Sequence, residues 1–255
     1  MMAPEGLLVA AGGGCYLVGA GLAWRKRLVW VGKWVLAGAL ILATGIAVRW
    51  FANGQGPFLT LYEILLSSLC SLGFVFGLAC SLDPSARQGA RLATLVLGTM
   101  LIWMAFTDPG SRPLPATYGN PWLWVHVAMG KIFLGCSLVA AGMGFASIFE
   151  QQNSGEALLA RAWQWLMVAF LFHSAMLIAG AVWAQDAWGR YWAWDPLETW
   201  AFVTWLLMAF AFHAKATFRL SHVIETAMII GVFVLAFLTF FGVPFVSIAP
   251  HKGAV

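Results

Sequence analysis

The sequence predicts an all-α fold: a polytopic transmembrane helical bundle of about eight spans, with a Trp-rich outer loop between spans six and seven. Three observations predict it. Of the 255 residues, 62% are hydrophobic and only 9% are charged, and the mean hydropathy is +0.84. These values lie far outside the range of soluble globular domains. We therefore expect an integral membrane protein.

Apolar stretches long enough to cross the membrane, about 20 residues each, occupy most of the chain. We expect spans near 5–24, 34–50, 62–81, 91–107, 122–149, 163–184, 199–214 and 223–244. The first should be a retained helix rather than a signal peptide, because no basic stretch precedes it and it has no small-residue cleavage site. Only short loops remain, so the sequence predicts one integral membrane domain over residues 1–255.

Basic residues predict the orientation of the spans. One set falls in alternate loops or at the adjoining helix ends: Arg25, Lys26, Arg27, Lys33, Arg87, Arg91, Arg161, Lys215 and Arg219. The other side receives only Arg49, Arg112, Arg190 and Lys252, and Lys131 lies within the fifth span. By the positive-inside rule, both termini and the Trp-rich loop face outward. The net charge of +4 therefore indicates topology, and we expect membrane lipid but no nucleic acid as a partner.

The four cysteines, Cys15, Cys70, Cys80 and Cys136, lie singly within predicted spans. They form no C-x-x-C motif, so they indicate neither a thiol redox pair nor a thiolate metal site. We expect them to be packing residues.

The segment WGRYWAWDPLETW (188–200) holds four tryptophans beside an Arg, an Asp and a Glu. One interpretation is an aromatic belt, since Trp and Tyr are enriched at membrane interfaces. Asp195, Pro196 and Glu198 also have a local explanation, because Asp at the N-cap, Pro at the first helical position and Glu at the third cap a helix. This predicts that the seventh span begins here.

The second interpretation of the segment is a binding surface. A belt does not explain why Trp188, Trp192 and Trp194 crowd a loop that also carries Gly189, where a ligand can approach the backbone closely. A large, flat, apolar ligand with carboxylates would use the indole faces for its plane and Arg190 for its anionic edge. Haem fits this description, and the residues alone leave both interpretations open.

The segment and the residues just before it, 183–200 together, resemble the Trp-rich WWD signature of the haem-handling proteins of cytochrome c maturation. WDPLETW is most similar to the CcsA/ResC family of system II, whose usual form is W-D-P-K-E-T-W. Further resemblances are GPFLTLYEILLSS, PWLWVHVAMG, GAVWAQDAWG, WLLMAFAFHAK and FFGVPFVSIAPHKG, so the similarity covers about residues 56–255. The chain departs from the family at Leu197, which replaces the usual Lys, and at PHKG, which replaces an H-S-Y-G or H-S-W-G ending.

The resemblance implies roles for three histidines. His126 lies about four residues into the fifth span, roughly 6 Å below its outer end, and His251 follows the last span on the same side. The resemblance implies that these two are the axial ligands of a haem b held by the loop, since haem iron can be bound by two imidazoles. It also implies that His213, roughly 20 Å along the seventh span, binds haem within the membrane opposite a partner's histidine.

Three further residues have competing interpretations. The resemblance includes Glu63 in the cofactor-binding set, although an acid at a helix start is also favoured by the helix dipole. His173 could stand at a depth similar to that of His213, but we expect it to be a buried histidine bonded to a neighbouring helix rather than a ligand. We expect His222 to be solvated.

The resemblance implies a function. The chain would bind haem and present it at the outer membrane face for thioether attachment to the C-x-x-C-H motif of apocytochrome c. It would act with a CcsB/ResB-type membrane partner, as a component of a holocytochrome c synthetase in a bacterial inner membrane or a thylakoid membrane. The alternatives are haem delivery to a chaperone, as in CcmC, and a membrane electron-transfer subunit that holds b-type haem permanently.

Overall fold

The computed structural model describes residues 4–56 and 59–246, and eight helices in this part are long and apolar enough to cross a membrane. They are α1 (Pro4–Trp24), α2 (Leu28–Asn53), α3 (Leu61–Leu82), α4 (Ala90–Ala105), α5 (Pro121–Ser147), α6 (Gln152–Trp188), α7 (Pro196–Thr217) and α8 (His222–Phe241). A short α9 (Val243–Val246) follows. The predicted all-α membrane fold with eight spans is confirmed.

Two predicted helix starts were wrong. We expected α2 to begin near residue 34, but it begins at Leu28, and α6 begins at Gln152 rather than near residue 163. The sequence EQQNSGEALLAR was expected to be a loop because it is polar, yet it is rich in Ala, Leu, Glu and Gln, which are strong helix formers. Hydropathy marks the apolar part of a helix and does not register a polar extension.

The 37 residues of α6 make it about 55 Å long at a rise of 1.5 Å per residue. The hydrocarbon core of a bilayer is only about 30 Å thick. Helix α6 therefore extends beyond the apolar core, and its last two turns carry Trp183 and Trp188 toward the loop that follows.

The structure divides into two compact units, the first up to Pro113 and the second from Leu114 onward. The first unit contains α1–α4 and is organised at one end by Arg49, which is buried. Its guanidinium forms ion pairs with Glu5 (3.1 Å) and Glu63 (3.0 Å) and donates to the carbonyls of Pro109 (2.8 Å) and Gly110 (3.0 Å). Arg49 thus joins three helices and the segment that follows α4.

The second unit contains α5–α8, and the antiparallel pair α5 and α6 forms its centre. The two helices approach closely at Gly130, where an added Cβ would lie 2.9 Å from the sulfur of Met176. Further along, Phe133 stacks on His173 with ring centroids 4.1 Å apart. We call the end of this unit where α5 begins and α6 ends the loop end, because it carries the Trp-rich segment.

Candidate functional site at the Trp-rich segment

The Trp-rich segment, residues 188–200, is the connection from α6 to α7. Helix α6 ends at Trp188 because Gly189 adopts a left-handed conformation (φ 73°), which glycine allows without steric cost. Helix α7 begins with Pro196 at its first position, and Asp195 Oδ1 accepts a hydrogen bond from the Glu198 backbone N–H (2.8 Å). The predicted capping of α7 is confirmed.

Glu198 also fixes the conformation of Trp194. Its Oε2 accepts from the backbone N–H groups of Ala193 (2.7 Å) and Asp195 (3.4 Å), on either side of that tryptophan. Trp194 itself has φ 58°, a left-handed conformation that costs a non-glycine residue roughly 1–2 kcal/mol. Its side chain is nevertheless 68% exposed. The segment therefore holds a large aromatic ring outward on a strained backbone, an arrangement typical of functional sites.

Three tryptophans of the segment make aromatic contacts at steep angles. Trp188 packs at a steep angle against Trp183, with centroids 4.8 Å apart and planes at 64°. Trp192 meets Trp194 edge to face at 5.7 Å and 79°, and both contact Phe202 of α7. The rings in these contacts are not coplanar, and the binding role of the tryptophans remains a prediction.

His126 of α5 lies against the last turns of α6. Its Nδ1 is 2.9 Å from the carbonyl oxygen of Met176, and its ring stacks on Trp183 with centroids 6.3 Å apart and planes at 24°. Gly180 makes room for it, because a Cβ at that position would lie 2.6 Å from His126 Nδ1. The backbone of α6, a glycine and Trp183 together hold the imidazole ring.

Trp183 is a residue of this site that was not among the predicted site residues. It is buried, its indole N–H donates to the Thr117 carbonyl (3.0 Å), and Tyr118 packs edge-on against it at 6.1 Å. Trp183 therefore lies between His126 and Trp188. The sequence places Gly180 and Trp183 three residues apart, which indicates that they share one face of a helix. It does not show that His126 packs on that face.

The short helix Ala116–Gly119 and the residue after it tie α5 to the end of α6. Asn120 caps α5 by accepting from the Trp122 N–H (2.8 Å), and its amide donates to Asp186 Oδ2 (2.8 Å). An open cleft of about 480 Å³ lies beside this hydrogen bond. Burial raises the pKa of Tyr118 above its usual value, so its phenol remains a neutral packing group.

The residues of this site are chemically suited to haem. A histidine that binds a metal almost always donates its other ring N–H to a carbonyl or carboxylate. With its proton on Nδ1 directed at the Met176 carbonyl, the neutral imidazole of His126 has its lone pair on Nε2, the atom through which such a tautomer binds a metal. Trp192 Nε1 is buried and has no hydrogen-bond acceptor in the part of the chain that is described. A carboxylate of a bound ligand could accept a hydrogen bond from this indole N–H.

The remaining predicted residues lie in different surroundings. Arg190 is exposed at the start of the loop, and His251 lies outside the described residues. Glu63 belongs to the first unit, where its oxygens accept hydrogen bonds from Arg49 and from the backbone N–H groups of Leu59 and Thr60. These contacts account for its burial, and its assignment to the cofactor remains a prediction.

The other histidines of the second unit differ in exposure. His213 is exposed on α7, whereas His173 is buried on α6 and stacks on Phe133 of α5. The expected hydrogen bond of His173 to a neighbouring helix is not present at Nδ1, which has no partner among the described residues. His222 is half-buried, with Nε2 2.9 Å from Ser147 Oγ, so the expectation that it is solvated was wrong.

The described residues contain no cluster of three or more His, Cys, Asp or Glu side chains that could hold a metal ion.

The fold and the site define a class of protein, a polytopic helical membrane protein with a tryptophan-rich connection beside a histidine. The sequence profile of the family described as Cytochrome C assembly protein matches residues 58–251. The chain belongs to this family, and its resemblance to CcsA proteins is confirmed.

Individual relatives agree with this assignment. The cytochrome c biogenesis protein CcsA of Chlamydomonas reinhardtii is 30% identical over 196 residues, which cover 70% of this chain and 55% of the relative. The CcsA protein of Synechococcus elongatus is 27% identical over 263 residues, covering 80% of this chain and 81% of the relative. The chain thus spans just over half of the algal protein and most of the cyanobacterial one, and the family supports a role in cytochrome c maturation.

The fold is shared with a solved structure. Cytochrome c Heme Lyase CcmF superposes with a TM-score of 0.77 over 94% of this chain and 47% of the CcmF chain. Sequence identity is 19%, so this likeness concerns the fold alone.

Proposed function

We propose that this protein binds haem b at the Trp-rich segment and presents it at the outer membrane face for covalent attachment to apocytochrome c. The observation that carries the proposal is the position of His126, which is directed by the Met176 carbonyl and stacked on Trp183 at the loop end. His251 is proposed as the second axial ligand. The membrane is a bacterial inner membrane or a thylakoid membrane, with both termini and the Trp-rich segment on its outer side.

The proposed contribution of the protein is positioning. When bound, haem supplies the vinyl groups to which the two Cys thiols of an apocytochrome C-x-x-C-H motif add, each S–H adding across one C=C bond. In this proposal, His126 and the aromatic side chains of the segment hold the porphyrin, and Arg190, which is exposed beside them in the chain, binds its carboxylates. Holding the reacting groups in position removes much of the entropic barrier to such a reaction.

The exposed face of α7 supports a membrane partner of the CcsB/ResB type. It presents Trp200, Val203, Leu206, Phe210 and His213, which recur at three- or four-residue spacing. The first four are suited to lipid, but an ionisable side chain that faces lipid is costly. We propose that the partner covers this face and that its histidine and His213 bind a haem within the membrane.

Expression of the chain with its partner and an apocytochrome tests the function against its alternatives. We expect haem to co-purify with the complex and c-type haem, measured by haem stain after denaturation, to form on the apocytochrome. Alanine replacements of Trp188, Trp192 and Trp194 should lower both.

Transfer of haem to a chaperone without any thioether product would favour the CcmC-type alternative. Haem that stays with the complex and is never transferred would favour the electron-transfer alternative.

A further inference from the structure

Three side chains from three helices meet at the end of the second unit opposite the loop end. Glu225 Oε2, from α8, accepts hydrogen bonds from the indole N–H of Trp163 on α6 (2.6 Å) and from Lys215 Nζ on α7 (2.5 Å). The same ammonium group lies 4.7 Å from the centroid of the Trp163 ring. A single carboxylate oxygen thus joins α6, α7 and α8 through two charge-assisted hydrogen bonds, and Lys215 also forms an ion pair with it.

These contacts define how α7 is rotated about its axis. Phe212 also packs on Trp163, with ring centroids 5.5 Å apart. Residues three apart lie on one face of a helix, so Phe212 and Lys215 hold the same face of α7 against the same indole. His213 is one residue, or about 100°, further around the helix, and it is exposed.

We propose that Glu225 is a positioning residue that sets the rotation of α7 and thereby directs His213 away from its own unit, toward a ligand shared with the partner. This inference rests on the proposed role of His213. Without the carboxylate, the Trp163 N–H loses its acceptor and Lys215 loses its counter-ion. The ring contacts of Phe212 with Trp163 and Phe170 remain, but they are apolar and less directional than the two hydrogen bonds. The contact of the Lys215 ammonium group with the Trp163 ring does not involve α8. The Glu225 oxygen does, and it fixes both groups relative to that helix.

Helix rotation can be measured without haem. In a variant with the four cysteines replaced, a single nitroxide is attached at His213→Cys or at Met208→Cys, and its collision with molecular oxygen in lipid vesicles is measured by power-saturation EPR. Met208 is buried and His213 is exposed on the same helix, so the ratio of the two accessibilities reports the rotational setting. We expect a ratio well above one for the parent protein.

Glu225→Ala should bring this ratio toward one. Glu225→Gln should have a smaller effect, because its amide oxygen still accepts from Trp163 while the charge that pairs with Lys215 is lost. Glu156→Ala is the matched control, since Glu156 is an exposed acid in the first turns of α6 and should leave the ratio unchanged. A folded Glu225→Ala protein with the parent ratio would overturn the proposal, and if Glu225→Ala does not fold, an unchanged ratio in Glu225→Gln would do so.

The functional consequence is tested in the complex with the partner. Glu225→Ala should reduce the haem absorption that depends on His213, whereas Glu156→Ala should not. An unchanged spectrum in His213→Gly would overturn the proposed function of that histidine, while the accessibility ratio would still decide whether Glu225 sets the helix rotation.

Discussion

Gly180 provides a sharp test of how His126 is held. Replacing it with alanine adds one carbon atom, which would lie 2.6 Å from His126 Nδ1 and 2.9 Å from Cε1. Contacts this short are not tolerated, so the imidazole has to move. The backbone of α6 gains helix propensity from the substitution, and the perturbation therefore acts on the histidine rather than on the helix.

The expected effects on stability and on binding differ in size. Displacing the ring breaks the hydrogen bond between His126 Nδ1 and the Met176 carbonyl, worth about 0.5–1.5 kcal/mol. Gly→Ala in a helix interior stabilises the folded protein by up to about 1 kcal/mol. The two effects nearly cancel, so the melting temperature should change little. Loss of an outer-shell contact to a metal ligand typically lowers affinity about 10–100-fold, and we expect haem affinity to fall by that factor.

The assay is a haem titration of the purified protein followed by its Soret absorption, with thermal unfolding measured on the same samples. Gly231→Ala on α8 is the matched control, because a Cβ there meets nothing within 4 Å. Equal haem affinity for the Gly180→Ala and Gly231→Ala proteins would refute the argument that α6 positions His126.

Three other predictions concern the structure around the sites. Asp195→Asn should change the free energy of unfolding by less than about 1 kcal/mol, because Asn also caps helices. Glu198→Ala should lower it by about 1–3 kcal/mol, because the backbone N–H groups beside Trp194 lose their acceptor. Thermal unfolding in detergent compares the two variants, and equal losses would contradict this prediction. Arg49→Met should cost about 3–5 kcal/mol, because Glu5 and Glu63 lose their counter-ion, and unfolding of Arg49→Met close to that of the parent would count against the ion-pair network. Because burial raises the pKa of Tyr118, its contribution to stability is complete below about pH 10, the pKa of an unfolded tyrosine, and falls as the pH rises further. In an ultraviolet titration, Tyr118→Phe should lack one phenol that ionises late in the parent. Loss of a phenol that ionises early would contradict the burial of Tyr118.

The fold was largely predictable because a membrane span leaves a strong one-dimensional signal. Eight apolar stretches gave eight helices, and the motif Asp195, Pro196, Glu198 correctly placed the start of α7. The start of α6 was not predictable from hydropathy, since its first ten residues are helical but not apolar. The division of the chain after Pro113 falls in a Pro- and Gly-rich loop, but the spans on either side are similarly hydrophobic, so composition alone does not distinguish the two units.

The site was predictable only as far as its residues are adjacent in the sequence. The aromatic side chains and the cap of α7 lie within thirteen residues, and a motif contains them all. Trp183, Gly180 and the Met176 carbonyl act on His126 from another helix, about 50 residues away along the chain, and their role depends on the register of α5 against α6. The sequence predicted that Glu198 caps α7. Its hydrogen bonds to the backbone on either side of Trp194 depend on the left-handed conformation of that residue, which only the structure shows.

Substitution of His126 by glycine is the sharpest test of the proposed haem site. We expect the complex of this chain with its partner to lose most of the haem absorption that depends on the Trp-rich segment and to form little c-type haem on apocytochrome. Added imidazole should restore part of both by occupying the position of the missing side chain. A His126→Gly protein that keeps the parent spectrum and the parent yield of c-type haem without imidazole would contradict the account.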